Sequence, residues 1–163
     1  MGSAARVLLT ASLVLLLPAP ALAFTKSQVE RGLFLFQSAC ARCHGADGRG
    51  AEVPAGFLRG VRTPPLLGRD TLPLSPRPTQ RYRKVLFRTA EDIFRFLLTQ
   101  HPPRGLKLFA PASYWALIAL FLERRGHAPD GRPLNAETAA RQPVRPPNRP
   151  AAGQGVPDTL PLR

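Results

Sequence analysis

The chain has 163 residues, a formal net charge of +13, 19 prolines and two cysteines. This length allows one ordinary domain with flanking segments, and a second full domain is not expected. Most of the 23 cations are arginines in a chain that is also rich in alanine, proline and leucine, so part of the charge reflects biased composition. No module that reads a nucleic-acid groove is evident, so the charge alone does not indicate nucleic-acid binding.

Residues 1–23 have the pattern of a secretory signal peptide. Arg6 supplies the positive charge, Val7 to Leu17 form an apolar run, and Ala21-Leu22-Ala23 give a small-x-small cleavage pattern. The apolar run is shorter than the roughly 20 residues that a membrane-spanning helix needs. We therefore expect a soluble, periplasmic mature protein that begins near Phe24 and has no transmembrane segment.

The segment before the two cysteines predicts a short amphipathic helix from Thr25 to Cys40. Ser27 is available as its N-cap, with Glu30 three residues later as the partner in a capping box. From Gly45 to Pro78 the glycines, prolines and arginines predict a long loop with brief helical turns at most.

Two further helices are predicted downstream, and no segment has the alternation of a strand. One runs from Thr89 to Gln100 and is stopped by His101-Pro102-Pro103. The other runs from about Ala112 to Arg125 and ends at Gly126. Its apolar stripe consists of Trp115, Ile118 and Leu122.

Residues 127–163 are rich in proline and poor in large apolar side chains, which predicts a disordered or loosely docked tail. The folded domain is then expected to be 24–126, with three helices and long loops. Such a domain has a thin core for its size, and a large bound prosthetic group would explain this.

Cys40-Ala41-Arg42-Cys43-His44 is the C-x-x-C-H pattern of c-type haem attachment. In such sites the two thiols form thioethers with the haem, and the adjacent histidine is the proximal iron ligand. A redox disulfide, a zinc half-site and chance are the alternatives. A disulfide motif would follow a strand rather than a helix, and zinc would need further cysteine or histidine pairs. The pattern therefore predicts one covalent haem c on Cys40 and Cys43, with His44 on its iron.

The chain resembles the class I mono-haem cytochromes c over about Ser27 to Gly126. The residues that carry the resemblance are Gly32, Phe36 and Cys40 at successive i+4 steps, Cys43-His44-Gly45, Gly48-Arg49-Gly50, Pro64-Pro65-Leu66-Leu67-Gly68, and Tyr114 with Trp115. The resemblance implies a small all-α fold of three main helices around one haem. It also implies that the first and last helices cross near Gly32. The carbonyl of Pro65, or alternatively Pro64, would hold the other ring nitrogen of His44.

The methionine that usually binds the far side of the iron in this family has no counterpart here, since the sole methionine is Met1. His101-Pro102 stands where the family has methionine and proline, so we expect His101 to be the distal ligand. An exposed loop histidine with an open or water-filled iron site is the main alternative, and Lys107 ranks after both. His127 is expected to be solvated in the tail. A second imidazole would lower the reduction potential relative to methionine.

The predicted function is electron transfer, as a soluble carrier or as the cytochrome subunit of a dehydrogenase, and no catalytic arrangement is evident. If His101 does not bind, the iron could instead take a small gas or peroxide. Cations in the loops are expected near the haem edge, where they pair with haem propionates or steer an acidic redox partner. These are Arg59, Arg62, Arg69, Arg77, Arg81, Arg83, Lys84 and Arg88.

Overall fold

The structure is a computed structural model that describes residues 24–56, 58–69, 71, 87–102 and 108–146. The predicted signal segment 1–23 and the predicted roles of Arg77, Arg81, Arg83, Lys84 and Lys107 lie outside these residues. The helices are α1 (Lys26–Leu35), α2 (Ala41–His44), α3 (Ala90–Thr99), α4 (Pro111–Arg124) and α5 (Ala136–Ala139). One π-helical turn, Phe36–Cys40, joins α1 to α2. Two isolated bridges are the sole β pairing in the described part, so the all-α prediction is confirmed.

The N-cap of helix α1 lies two residues before the predicted one. Thr25, not Ser27, is the N-cap, and its hydroxyl accepts a hydrogen bond from the Gln28 backbone N–H at 3.1 Å. The Gln28 side-chain oxygen in turn accepts a hydrogen bond from the Thr25 N–H at 3.2 Å, which completes a capping box. The helical path then continues through the π-helical turn and α2, so that the cysteines and His44 end one unbroken helical segment.

Helix α4 is the centre of the core. Every residue from Tyr114 to Leu122 is buried, which contrasts with the single apolar stripe predicted from the sequence. A helix that is apolar on all sides is buried on all sides. Helix α1 crosses it at Gly32, where a Cβ atom would overlap the backbone carbonyl of Ala116, so the close approach predicted at this glycine is present.

Residues 127–146 are packed against the domain, and the prediction of a loose tail is wrong for this part of the chain. We call them the C-terminal strap. Leu134, Ala139 and Val144 are buried in the core. The Gln28 side chain donates to the Leu134 carbonyl at 2.8 Å and accepts from the Leu134 N–H at 2.9 Å. Three apolar side chains and paired backbone groups therefore hold a segment whose composition suggested disorder.

His127 lies inside this strap and is 3% exposed, which corrects its predicted exposure to solvent. Its Nε2–H donates to the Val144 carbonyl at 3.0 Å, and its Nδ1 faces the Gln142 amide at 3.5 Å. Arg125 donates to the same Val144 carbonyl at 3.1 Å. Burial lowers the pKa of His127, with a further lowering by Arg125 that the Val144 hydrogen bond opposes. His127 is thus a neutral structural residue.

The strap also braces the entry to α3. The Ala90 N–H donates to the Gln142 carbonyl at 2.8 Å, and the Val144 N–H donates to the Arg88 carbonyl at 2.9 Å. Among the described residues no helix is both long enough and apolar enough to cross a membrane.

Candidate haem site

Cys40, Cys43 and His44 lie at the end of the helical segment that begins with α1. The two cysteines are half-buried and form no disulfide, while His44 is 4% exposed. Burial, followed by the neighbouring Cys43, raises the pKa of the Cys40 thiol to about 11. The Cys40 sulfur is therefore a neutral thiol.

His44 is oriented by a single carbonyl. Its Nδ1–H donates to the Pro64 carbonyl oxygen at 2.9 Å, which leaves Nε2 with a free lone pair. The prediction of Pro65 for this contact is wrong by one residue, and the alternative, Pro64, makes it. Burial lowers the pKa of His44 more than the Pro64 hydrogen bond raises it. A neutral imidazole with one oriented nitrogen is the form that binds a metal.

The loop that carries Pro64 is tied to the cysteine helix by short hydrogen bonds. The Thr63 hydroxyl donates to the Cys43 carbonyl at 2.6 Å, and the Gly50 N–H donates to the His44 carbonyl at 2.9 Å. Gly50 has φ +87°, and a Cβ there would press on the Thr63 carbonyl. No local sequence pattern indicates this role of Thr63, because its partners Cys43 and Ala51 are far away in the chain.

His101 follows α3 and faces His44. Its N–H donates to the Phe96 carbonyl at 3.1 Å, and its ring stacks on the Phe96 ring with centroids 5.6 Å apart. The centroids of the His101 and His44 rings are 5.7 Å apart, with 58° between the ring planes. Burial, with a smaller contribution from His44, lowers the pKa of His101 to about 4. The fold thus brings together two neutral imidazoles that are 57 positions apart in sequence numbering.

The distance between the rings fits a shared metal. Two imidazoles on opposite sides of one ion, each about 2 Å from it, have ring centres roughly 6 Å apart. The loop that carries Pro64 and the helix that precedes His101 also present apolar side chains that are packed on the core but remain partly accessible. These are Leu66 in the loop, and Phe96, Leu97 and Leu98 in α3. A flat apolar group between the imidazoles would cover this residual surface, so the residues fit a haem.

The other predicted site residues are more scattered. Arg59, Arg62, Arg69 and Arg88 are exposed on the surface of the described loops. No group of three or more histidine, cysteine or carboxylate side chains that could hold a different metal ion occurs in residues 24–56, 58–69, 71, 87–102 and 108–146.

A family model described as cytochrome c oxidase, cbb3-type, subunit III matches residues 27–120 of the chain. The matched region contains α1 apart from Lys26, all of α2 and α3, and most of α4. It includes both cysteines and both facing histidines. The C-terminal strap lies beyond it. No curated protein sequence matches the chain significantly.

Proposed function

Because this chain belongs to the cbb3-type cytochrome c oxidase subunit III family, we propose that it carries single electrons in the periplasm through a haem held between His44 and His101. The cytochrome c domain of this family binds haem c covalently and serves electron transfer. The bound haem supplies a one-electron ferric/ferrous couple. The residues of this chain attach it, orient its ligands and exclude water from them.

Cys40 and Cys43 are the proposed attachment points. They lie in adjacent turns of the same helical segment, and both are half-buried, so their thiols can reach a group that packs beside His44. We also propose that residues 1–23 direct export and are removed. Denaturing mass spectrometry of the periplasmic fraction should give the mass of residues 24–163 plus one haem. A full-length mass, or a chain without haem, would contradict these assignments.

The observation that carries the axial assignment is the 5.7 Å separation of the His44 and His101 rings. This separation leaves room for one ion between the two rings, and burial keeps both imidazoles neutral. Imidazole donates more electron density than a thioether and favours the ferric state, so a histidine pair gives a lower potential than a histidine–methionine pair. The proposed function is therefore electron transfer at a lower reduction potential than that of a cytochrome with histidine and methionine ligands.

Electron paramagnetic resonance of the ferric protein at low temperature tests His101. The wild-type protein should be wholly low-spin with a bis-imidazole signature, and His101→Ala should be predominantly high-spin. His127→Gln is the matched control. His127 donates a hydrogen bond to the Val144 carbonyl and is not a proposed iron ligand, so its replacement should leave the spectrum unchanged. A high-spin wild-type spectrum would refute the ligand assignment and would favour binding of a small gas or peroxide at an open iron site.

The surface next to the cysteines supports an acidic redox partner. Arg31 and Arg42 are exposed on this helical segment, and neither forms an ion pair with another described residue. Phe34 lies on the exposed side of α1 and is 70% accessible, the most exposed large apolar side chain of the described part. Exposed arginines on the same helical segment as an apolar contact fit a partner with an acidic surface, because opposite charges steer the encounter.

Electron transfer to small inorganic oxidants tests the sign of the electrostatic potential at this surface. Oxidation of the ferrous protein by anionic hexacyanoferrate(III) should slow as salt is added, whereas oxidation by cationic tris(phenanthroline)cobalt(III) should accelerate. Equal and weak salt effects with both oxidants would contradict the proposal. Light scattering on the purified complex from periplasmic extract distinguishes a free carrier from the cytochrome subunit of a dehydrogenase by its mass.

A further inference from the structure

The Thr63 side chain joins three segments of the candidate haem site. Its hydroxyl donates to the Cys43 carbonyl at 2.6 Å and accepts from the Ala51 N–H at 3.1 Å. Its own N–H donates to the Ala51 carbonyl at 2.8 Å. Thr63 therefore links the helix that ends at His44, the glycine loop after it, and the loop that carries Pro64.

The two prolines after Thr63 make its hydrogen bonds important for the position of the loop. Pro64 and Pro65 have no backbone N–H, so neither can hold its own position by donating a hydrogen bond. After them, the N–H groups of Leu66 and Leu67 donate to the Gly48 carbonyl at 2.8 and 3.1 Å. Before them, Thr63 is the nearest residue with backbone and side-chain bonds to the rest of the site. The position of the Pro64 carbonyl therefore depends on the hydrogen bonds of Thr63 before it and of Leu66 and Leu67 after it.

We propose that Thr63 is a positioning residue that keeps the Pro64 carbonyl on His44 and thereby sets the reduction potential of the haem. The inference rests on the proposed role of His44 as an iron ligand. A hydrogen bond from the second nitrogen of a ligating histidine raises the basicity of the ligand and favours the ferric state. A loosened Pro64 carbonyl weakens that bond, so loss of the Thr63 hydroxyl raises the potential.

Thr63→Val tests this, since valine keeps the shape of threonine and removes the hydroxyl. Weakening one hydrogen bond of ordinary strength should change the ferric-to-ferrous ratio at a fixed applied potential about threefold. For a one-electron couple this is an upward shift of about 28 mV. Thr63→Ser, which keeps the hydroxyl, should stay close to the wild-type potential.

Thr71→Val is the matched control. Thr71 is buried, and its hydroxyl donates within the same loop to the carbonyls of Gly68 and Leu66, at 2.7 and 3.0 Å. It makes no bond to Cys43 or Ala51. Its replacement should lower stability without moving the potential. If Thr63→Val moves the potential no more than Thr71→Val does, the proposal is wrong.

Proton exchange gives a second readout that does not depend on a stable variant. In the ferrous wild-type protein, the His44 Nδ1–H and the Ala51 N–H should exchange with solvent at similar opening free energies, because both are released when the Thr63 link opens. A protection factor of the His44 proton more than tenfold below that of the Ala51 proton, each taken relative to the group's own unprotected exchange rate, would overturn the proposal. Spin-state spectra test His101 on the opposite side of the site, so the two proposals can fail separately.

Discussion

The crossing of α1 and α4 offers the sharpest test of the fold through Gly32→Ala. The added methyl group would meet the carbonyl oxygen and carbon of Ala116, and then the Cβ of Leu120. The first two atoms belong to the backbone of the buried part of α4 and cannot rotate away. The helices must therefore separate, which loosens the side chains packed on either side of the contact.

The size of the effect follows from two opposing contributions. Overpacking a well-packed core costs about 1–3 kcal/mol, and an obstacle made of backbone favours the upper end of that range. Alanine is better than glycine in a helix by about 1 kcal/mol, which offsets part of the cost. We expect Gly32→Ala to lower the free energy of unfolding by about 2 kcal/mol, or the Tm by roughly 10 °C.

Urea unfolding of the haem protein, followed by circular dichroism, measures this difference. Arg31→Ala is the control on the same helix, because Arg31 is exposed and alanine and arginine have similar helix propensities. The control should change the free energy of unfolding by less than about 0.5 kcal/mol. A Gly32→Ala protein as stable as the wild type would show that the two helices do not approach as closely as described.

Three further predictions concern the strap and the distal ligand. Gln28→Ala removes both hydrogen bonds to Leu134 and should cost about 2 kcal/mol and speed proteolysis of the strap, whereas exposed Gln37→Ala should do neither. The pKa of His127 is lowered in the folded protein, so its contribution to stability is complete above the unfolded value of 6.5 and is lost as the pH falls below it. This loss should be absent from His127→Gln, and equal pH profiles of the two proteins would contradict it. His101→Met should raise the reduction potential by on the order of 0.1 V in voltammetry, and an unchanged potential would argue against iron ligation by His101.

Several features could be predicted from the sequence because their determinants lie close together. Cys40, Cys43 and His44 occupy one short segment, so their pattern indicates a haem without knowledge of the fold. The start of α3 was predicted correctly from Thr89, because its capping box spans four adjacent residues. The limits of α4 agree with the sequence prediction within one residue at each end.

Other predictions failed because they relied on local composition, whereas the outcome depends on contacts between residues that are distant in sequence. The strap has few large apolar groups, yet Gln28 pairs with its backbone at Leu134, and the Ala90 N–H donates to its Gln142 carbonyl. The carbonyl that orients His44 belongs to Pro64 rather than Pro65, because the bonds of Thr63 and Gly48 set the position of the loop. A one-residue difference in a double proline is beyond what a motif can determine.

The sequence by itself determined that the chain carries the C-x-x-C-H pattern of haem attachment among helices, since short-range spacing and capping encode both. Only the tertiary structure decided how His101 lies relative to His44. That relation depends on where α3 ends, on how the strap braces the start of α3, and on the stacking of Phe96 on the His101 ring. The strap contacts and the approach of the two imidazole rings join parts of the chain that are distant in sequence, and such contacts arise from packing rather than from any local pattern.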